Sequence, residues 1–416
     1  MKVFKFGGAS VKDSKGVKNV AAILQSYPQE SIVVVVSAMG KTTNALEKIL
    51  SLYRSGGDYT AELENLKNYH HTIMKELFNT LHPIWKDIDE VFATLDLQLK
   101  KERPADQAYD QVVSIGEILS TIIVHHYLLN QNVTSEWLDA RDFIVTNNTY
   151  REAKVNWDAT YDKIEKIRGV FARKKIALTQ GFIGRSKDGF TTTLGRDGSD
   201  YSAAIFASCL NADSVTIWKD VPGVMNADPK RLPDAATVFE ELPFKEAAEM
   251  TYYGASVIHP KTIKPLANKN IPLYVKSFDD PKLPGTKIHE CKVERLPPLI
   301  VFKENQCLVS CKVTDYTFVS ENQLKTIFNT LSELNVRINV MQNSAISFSF
   351  CVDFREDKLS GLIKKLHEYF EVYYNTGLTL ITIKNYDDKL FNQYHNLPGV
   401  LLEQSSRSTL QILVRI

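Results

Sequence analysis

Cysteine is scarce: five residues in 416, at positions 209, 291, 307, 311 and 351. An odd, scattered set excludes a disulfide framework. Cys307 and Cys311, four apart in a strand-like run, lack the second pair or the nearby histidines that would complete a zinc site. Reduced core thiols in a cytosolic protein are the expectation. An excess of charge is missing as well, since 50 Lys+Arg against 49 Asp+Glu leave +1. That balance favours neither nucleic acid nor a membrane surface as a partner. No apolar run is expected to reach the ~18 residues that cross a bilayer. The N-terminal MKVFKFGG meets glycine too early for a signal peptide, so a cytoplasmic location follows. What is present, 44% hydrophobic and 24% charged residues, builds an ordinary globular core. The length suits two or three domains.

The most informative stretch is Thr191 to Ala204, TTTLGRDGSDYSAA. It follows an apolar strand expected over 176–183 and runs into a helical pattern over 202–210. Gly195 and Gly198 let the backbone turn tightly and approach a ligand. Ser199 and Asp200 then stand at a helix N-terminus, a place for caps and for phosphate. Arg196 adds a planar cation suited to carboxylate or phosphate. On these residues alone a strand-turn-helix junction with capping side chains explains the stretch equally well.

Other strand ends repeat the theme. KVFKF (2–6) stops at Gly7-Gly8 before a helix over 14–26, and such a turn presents backbone N–H groups to an anion. Lys5 precedes the glycines by two residues, within reach of a phosphate held there. The run 32–36 reads as a strand buried on both faces, and Ser37, Gly40, Thr42, Thr43 and Asn44 follow it. Ligands of open α/β sheets bind at such carboxyl ends. Residues 60–101 read as two helices broken near His82-Pro83, with His70 and His71 about 100° apart on the solvated surface. A further helix is expected over 112–129. Its Glu117 is either a buried structural carboxylate or a contact for a cationic ligand. Strands over 133–138 and 214–218 and a helix over 157–174 continue the β-α alternation of a parallel sheet covered on both faces. Pro281, Pro284, Gly285 and Pro297-Pro298 mark a boundary near 285–298.

KFGGAS, SAMGKTTN, SIGEILS, LDARDFIVT, TTTLGRDGSDYSAA, KDVPGVMNADPK and FKEAAEM…GASVIHP, in this order over about 280 residues, resemble the signatures of aspartate kinases in the amino-acid kinase superfamily. The resemblance implies an open αβα sandwich with a mainly parallel sheet over residues 1–285. It also implies transfer of the ATP γ-phosphoryl group, with Mg²⁺, to the side-chain carboxylate of L-aspartate. The product is 4-phospho-L-aspartate, the first step toward lysine, threonine and methionine.

Carried over by motif, Lys5 neutralises the moving phosphoryl, Gly7 and Gly8 donate N–H bonds to it, and Asp200 orients Lys5 and Mg²⁺-bound water. Glu117 takes the aspartate ammonium and Arg196 a carboxylate, while Ser37, Thr43 and Ser199 place the substrate. Lys219, Asp220, Met225, Lys230 and Ser256 fall where the family meets the nucleotide. No residue is expected to form a dedicated metal site. Four positions depart from the family pattern: Asp197 for glycine in GRGGSD, Lys219 for threonine in TDV, Met225 for tyrosine, and Ser256 for the lysine of GAKVLHP. Lys219 is expected to compensate for the cation lost at 256.

Residues 299–416 follow a β-α-β-β-α-β then β-α-β-β order, resembling two α+β, ferredoxin-like ACT modules. Strands are expected over 307–313, 336–341, 346–352, 400–404 and 410–415, with a hairpin at 375–377 joining 372–374 to 378–383. Helices are expected over 321–334, 358–368 and 386–393. In aspartate kinases such modules bind lysine or threonine and pair their sheets into a homodimer. A dimerisation domain without ligand is the alternative. The effector segment is expected at Met341, Gln342, Asn343 and Ser344. Two rival readings are a glutamate or acetylglutamate kinase, disfavoured by LDARDF and SIGEILS, and an amino-acid sensor with an idle kinase site. Joint retention of Lys5, Glu117, Arg196 and Asp200 argues against the sensor. A fused homoserine dehydrogenase is not expected, since no GxGxxG follows a strand before Ile416.

Overall fold

Alternating KVFKF forms β1 (Lys2–Phe6), and IVVVV, buried at every position, forms β2 (Ile32–Val36) in parallel beside it. These coordinates are a computed structural model that describes residues 1–171, 175–255, 258–293, 296–314 and 317–415. The chain divides into two compact units. The first holds Met1–Val224, Val238–Ala248 and Val257–Val293; the second holds Met225–Thr237, Glu249–Ser256 and Glu294–Ile416. The sequence places the divide between 285 and 299, whereas the second unit also takes in the two earlier segments.

The first unit's remaining strands are β3 (Ser135–Leu138), β4 (Val145–Thr146), β5 (Ile176–Gln180), β6 (Ile183–Ser186), β7 (Thr191–Thr193), β8 (Ser214–Lys219), β9 (Glu241–Pro243), β10 (Leu273–Ser277) and β11 (Thr286–His289). Eight of the unit's strands form one sheet in the order β3-β5-β2-β1-β8-β10-β11-β9, and β4-β6-β7 form a small second sheet. Within the large sheet only β10 and β11 pair antiparallel. Helices α1 (Ser14–Gln25), α2 (Thr42–Arg54), α3 (Thr60–Leu77), α4 (Ile84–Lys100) and α5 (Ala105–Asn130) share one core with Phe4, Phe6, Val34, Val36 and Trp218. Helices α6 (Trp157–Ile164), α7 (Arg168–Phe171), α8 (Gly198–Leu210), α9 (Phe244–Tyr253) and α10 (Pro260–Ala267) follow, with α8 packed on β1, β2 and β8 and on α10. The expected α/β sandwich with a parallel core is therefore present.

Several local expectations need correction. The strand expected over 176–183 is two strands, broken where Phe182 takes a left-handed φ of 67°. Helix α8 starts at Gly198, so Ser199 and Asp200 sit inside its first turn and cap nothing. The helix expected over 157–174 runs as α6, a 3₁₀ turn and α7, and 172–174 lie outside the described residues. Helix α5, at 26 residues, is long and apolar enough to cross a membrane by length and composition, contrary to the expectation that no segment is. Its apolar window is 78% buried in the protein, which makes it a core helix.

The second unit carries β12 (Leu299–Lys312), α11 (Glu321–Glu333), β13 (Ile338–Asn343), β14 (Ser347–Asp353), α12 (Glu356–Leu366), β15 (Glu371–Lys384), α13 (Asp388–His395), β16 (Val400–Ser405) and β17 (Thr409–Val414). They make one six-stranded antiparallel sheet, β13-β14-β12-β15-β17-β16. No hairpin forms at 375–377, because β15 runs straight through. Gly377, at φ +69°, and Asn305 on β12 absorb a register shift as left-handed residues. The two ACT-like modules thus share β12 and β15. Residues 306–312, α11, β13, β14, α12 and 371–375 make one βαββαβ set. The other set is 378–384, α13, β16 and β17, completed by 299–303 from the start of β12. Ala227, Leu232 and Ala236 pack into the second set's core, which explains why that early loop belongs to this unit.

His70, expected on solvated surface, is fully buried on α3. Its Nδ1–H donates to Leu66 O at 2.9 Å, and Nε2 lies 3.5 Å from Thr42 Oγ1. Burial pushes its pKa from 6.5 down to about 4. The unfolded chain takes up this proton near pH 6.5 and the folded one does not, so stability erodes as pH falls from 6.5 toward 4. About 2 kcal/mol should be lost by pH 5. Urea unfolding at pH 7.5, 6 and 5 should show this slope for the native chain and a flatter one for His70→Gln. Identical slopes would place the titration elsewhere.

Candidate active site

The carboxyl ends of β1, β2 and β8 and the first turn of α8 surround a cleft of about 690 Å³. Lys5, on the last turn of pleat in β1, points its Nζ at Asp200 Oδ1, 2.7 Å away, and both side chains are nearly buried. Lys219, the final residue of β8, brings its Nζ to 3.9 Å from Asp200 Oδ2. Asp200 therefore sits between two ammonium groups. Burial lowers the Lys219 pKa, opposed by the attraction of Asp200.

The glycine turn works by close approach. A Cβ on Gly8 would stand 2.6 Å from Ala38 O, and Gly40 N–H donates to Gly8 O at 3.0 Å. The loops after β1 and β2 are joined backbone to backbone, which places Ser37 and Gly40 beside Lys5. Asp197 explains its own departure from the family glycine. It precedes α8 with φ +55°, a left-handed conformation that glycine takes freely and Asp tolerates better than most residues. Its side chain makes no capping bond, and of the first-turn N–H groups that of Gly198 donates instead to Gly195 O at 3.0 Å.

The environment of Glu117 bears on the alternative left open by the sequence. It is 3% exposed, and one carboxylate oxygen, Oε2, has no hydrogen-bond partner among the described residues. Burial is the main cause that pushes its pKa up to about 8, against an N–H bond from Ala38 and the charge of Lys5. A purely structural carboxylate would have both oxygens satisfied. This one faces the cleft.

Of the expected residues, Lys5, Gly8, Ser37, Thr43, Glu117, Arg196, Ser199, Asp200 and Lys219 line the cleft, joined by Asp197. Arg196 is at the mouth with a guanidinium 80% exposed. Gly7 stands behind Lys5, its Cβ position 3.3 Å from Nζ. Asp220 is not in the lining. Met225 and Lys230 are also outside it, and both belong to the second unit. Ser256 lies outside the described residues. Met341, Gln342 and Asn343 lie on the edge strand β13, with Ser344 in the turn after it.

Sequence reasoning missed Tyr109, Arg151, Glu152 and Phe182 in the lining. Arg151 lays its guanidinium 4.0 Å from the centre of the Tyr109 ring. Asp110 was missed too. Fully buried, it accepts from the N–H of Arg151 and from both N–H and Oγ1 of Thr193, tying two loops of the cleft to α5. Burial still raises its pKa to about 6. The signal for Asp110 was present: it precedes Glu117 by seven positions, two turns along one face of an apolar helix.

The amino acid kinase family matches residues 1–277. Lysine-sensitive aspartokinase 3 of Escherichia coli is 30% identical over 92% of this chain and 86% of its own length. Aspartokinase 1, chloroplastic, of Arabidopsis thaliana is 33% identical over 84% of this chain and 63% of its own. The crystal structure of E. coli aspartokinase III in complex with aspartate and ADP superposes with a TM-score of 0.84 at 28% identity, covering 100% of this chain and 96% of that one. The same enzyme in complex with lysine and aspartate gives 0.83, with the same coverage.

Because the folded pKa of Glu117 lies above its ordinary 4.5, its burial stabilises the fold only while it is protonated. That contribution is lost as pH rises through about 8. Glu117→Gln should make the ligand-free protein more stable by roughly 3 kcal/mol at pH 7, with the gap widening from pH 5 to 8. Chemical denaturation across that range checks it. A destabilised variant would return Glu117 to a structural role.

Proposed function

The chain belongs to the aspartate kinases of the amino acid kinase family, and from that premise we propose how its own residues carry out ATP-dependent phosphorylation of the L-aspartate side chain. The carrying observation is the buried Lys5–Asp200 pair beside an unpartnered Glu117 oxygen in one cleft. Glu117 binds the α-ammonium of aspartate, losing its proton as it does so, and Arg196 at the mouth holds the α-carboxylate. Ser37, Thr43 and Ser199 fix the substrate's tilt, directing its side-chain carboxylate at Lys5. That carboxylate is already an anion, so no base is needed. One of its oxygens attacks the γ-phosphorus, the bond to the bridging oxygen of ADP breaks, and the mixed anhydride 4-phospho-L-aspartate forms. Phosphoryl transfer asks for positioning and positive charge. Lys5 supplies both, held by Asp200, with the N–H groups of Gly7 and Gly8 around the equatorial oxygens.

Lys219 adds a second cation beside Asp200, and Asp220, Met225, Lys230 and Ser256 are assigned to the nucleotide. ATP uses Mg²⁺, which neutralises phosphate charge when bound. The donor set fits an ion carried by the phosphates. Asp200 is the one buried carboxylate in the cleft besides Glu117, and no three-ligand cluster lies there among the described residues. Such an ion keeps its waters and leans on one or two carboxylates. The all-thiol cysteine set supports the cytoplasmic assignment.

We assign lysine or threonine binding to the second unit at Met341, Gln342, Asn343 and Ser344, and homodimer formation to pairing of its sheet. Edge strand β13 supports this, with Met341 47% exposed and an outer row of backbone groups that pairs with no other strand among the described residues. The E. coli relative is itself called lysine-sensitive.

Lys5→Ala should lower kcat by about 3–4 kcal/mol, a factor of hundreds, with circular dichroism unchanged. Steady-state kinetics within about threefold of the native enzyme would remove Lys5 from the reaction. Ending the chain after Leu296 should abolish any response to lysine and threonine and any dimer. Inhibition curves and sedimentation of both proteins decide this, and a truncated protein that still dimerises and responds would overturn the assignment.

A further inference from the structure

At the far edge of the large sheet, away from the cleft lining, three metal-ligating side chains converge. Glu241 lies on the three-residue edge strand β9, His289 ends β11, and Cys291 follows two residues later. One ligand atom from each, a carboxylate oxygen, an imidazole nitrogen and Sγ, lie within 4.8 Å of one another. His289 Nε2 stands 3.3 Å from Glu241 Oε1, is buried, and makes no hydrogen bond among the described residues.

The sequence produces this convergence by alternation. Strand β11 buries Thr286 and Ile288 and turns Lys287 and His289 to the other face, and Cys291 keeps the two-residue step. Strand β9 pairs in parallel with β11, setting Glu241 opposite Lys287, one strand-step from His289. Cys209, Cys307, Cys311 and Cys351 are all buried; Cys291 alone is partly accessible.

We propose that Glu241, His289 and Cys291 form a binding site for a divalent transition metal, with Zn²⁺ the best match. Carboxylate, imidazole and thiolate together are ligands that Zn²⁺ accepts, whereas Mg²⁺ and Ca²⁺ want oxygen alone. Metal–ligand lengths of about 2.0–2.3 Å around a tetrahedron place donor atoms roughly 3.3–3.8 Å apart. The His289–Glu241 separation of 3.3 Å already meets this spacing. Three protein ligands leave the fourth position to water. Lys287, whose Nζ is 3.9 Å from Glu241 Oε1, is half-exposed and swings out as the ion enters. The thiol proton passes to solvent, and the Cys291 sulfur bonds the metal. The ion would clip the short strand β9 to the chain leaving β11, raising the stability of this edge.

Cobalt is the probe, because a thiolate ligand gives Co²⁺ a near-ultraviolet charge-transfer band and a tetrahedral field gives intense visible bands. The full chain, reduced and freed of metal with chelator, should take up one equivalent of Co²⁺ with both signatures, and Zn²⁺ should displace it. The thiolate band should vanish in Cys291→Ser, and affinity should fall at least tenfold in His289→Ala and in Glu241→Gln. Zn²⁺ should also slow alkylation of Cys291 in the native chain, a readout that needs no variant to fold. Absence of a thiolate band, its persistence in Cys291→Ser, or alkylation unaffected by Zn²⁺ would each overturn the site.

Discussion

An ammonium and a carboxylate 2.7 Å apart, Lys5 and Asp200, are both withdrawn from water at the end of β1. Stranding one charge of such a pair typically costs about 3–5 kcal/mol, a cost that Lys219 moderates for Asp200 if Lys5 is removed. The surrounding architecture follows from that requirement. A parallel strand is needed to aim Lys5 along the sheet axis, and a helix starting at Gly198 to bring Asp200 in on its first turn. The Gly8–Gly40 backbone contact then leaves room for phosphate against the ammonium. Lys219, at 3.9 Å on the other carboxylate oxygen, shares the same anion. Under the proposed reaction, phosphate entering this cleft would meet cations already oriented, with little rearrangement of charge.

Glu117 shows the opposite arrangement. Burial of this carboxylate with one oxygen unpartnered disfavours its charged form in the empty protein. Under the proposed reaction, the ammonium of aspartate would offset that penalty, so stability given up in the empty site would return as selectivity for a cation. Asp110, two turns earlier on α5, is the structural counterpart: also buried, but with its oxygens occupied by Thr193 and Arg151. One helix thus carries a satisfied carboxylate that shapes the cleft and an unsatisfied one that faces it.

Much of this was legible in the residues. IVVVV could only be a strand buried on both faces, and glycine with hydroxyl side chains after β1 and β2 marked the loops that line the cleft. Asp197 read as an anomaly until its left-handed φ showed why a short polar residue can replace glycine there. Tertiary context hid the rest. His70 looked like surface because α3 is charged overall, and only the packing of α2 and α4 shows which face is covered. Asn375 and Gly377 carry the composition of a hairpin, yet pairing with β12 on one side and β17 on the other keeps β15 straight. Residues 225–237 gave no local sign that they complete the core of a module more than 60 positions later.

Glu117 as the acceptor for the substrate ammonium is tested most directly by calorimetry. L-Aspartate is titrated into the native protein at pH 7 in buffers of different ionisation enthalpy, which reads the protons exchanged on binding. With a carboxyl whose pKa is about 8 in the empty site, nearly one proton should leave for each aspartate bound, and none from Glu117→Gln. Equal proton release from both proteins, or tight binding by the native chain with no release, would contradict it.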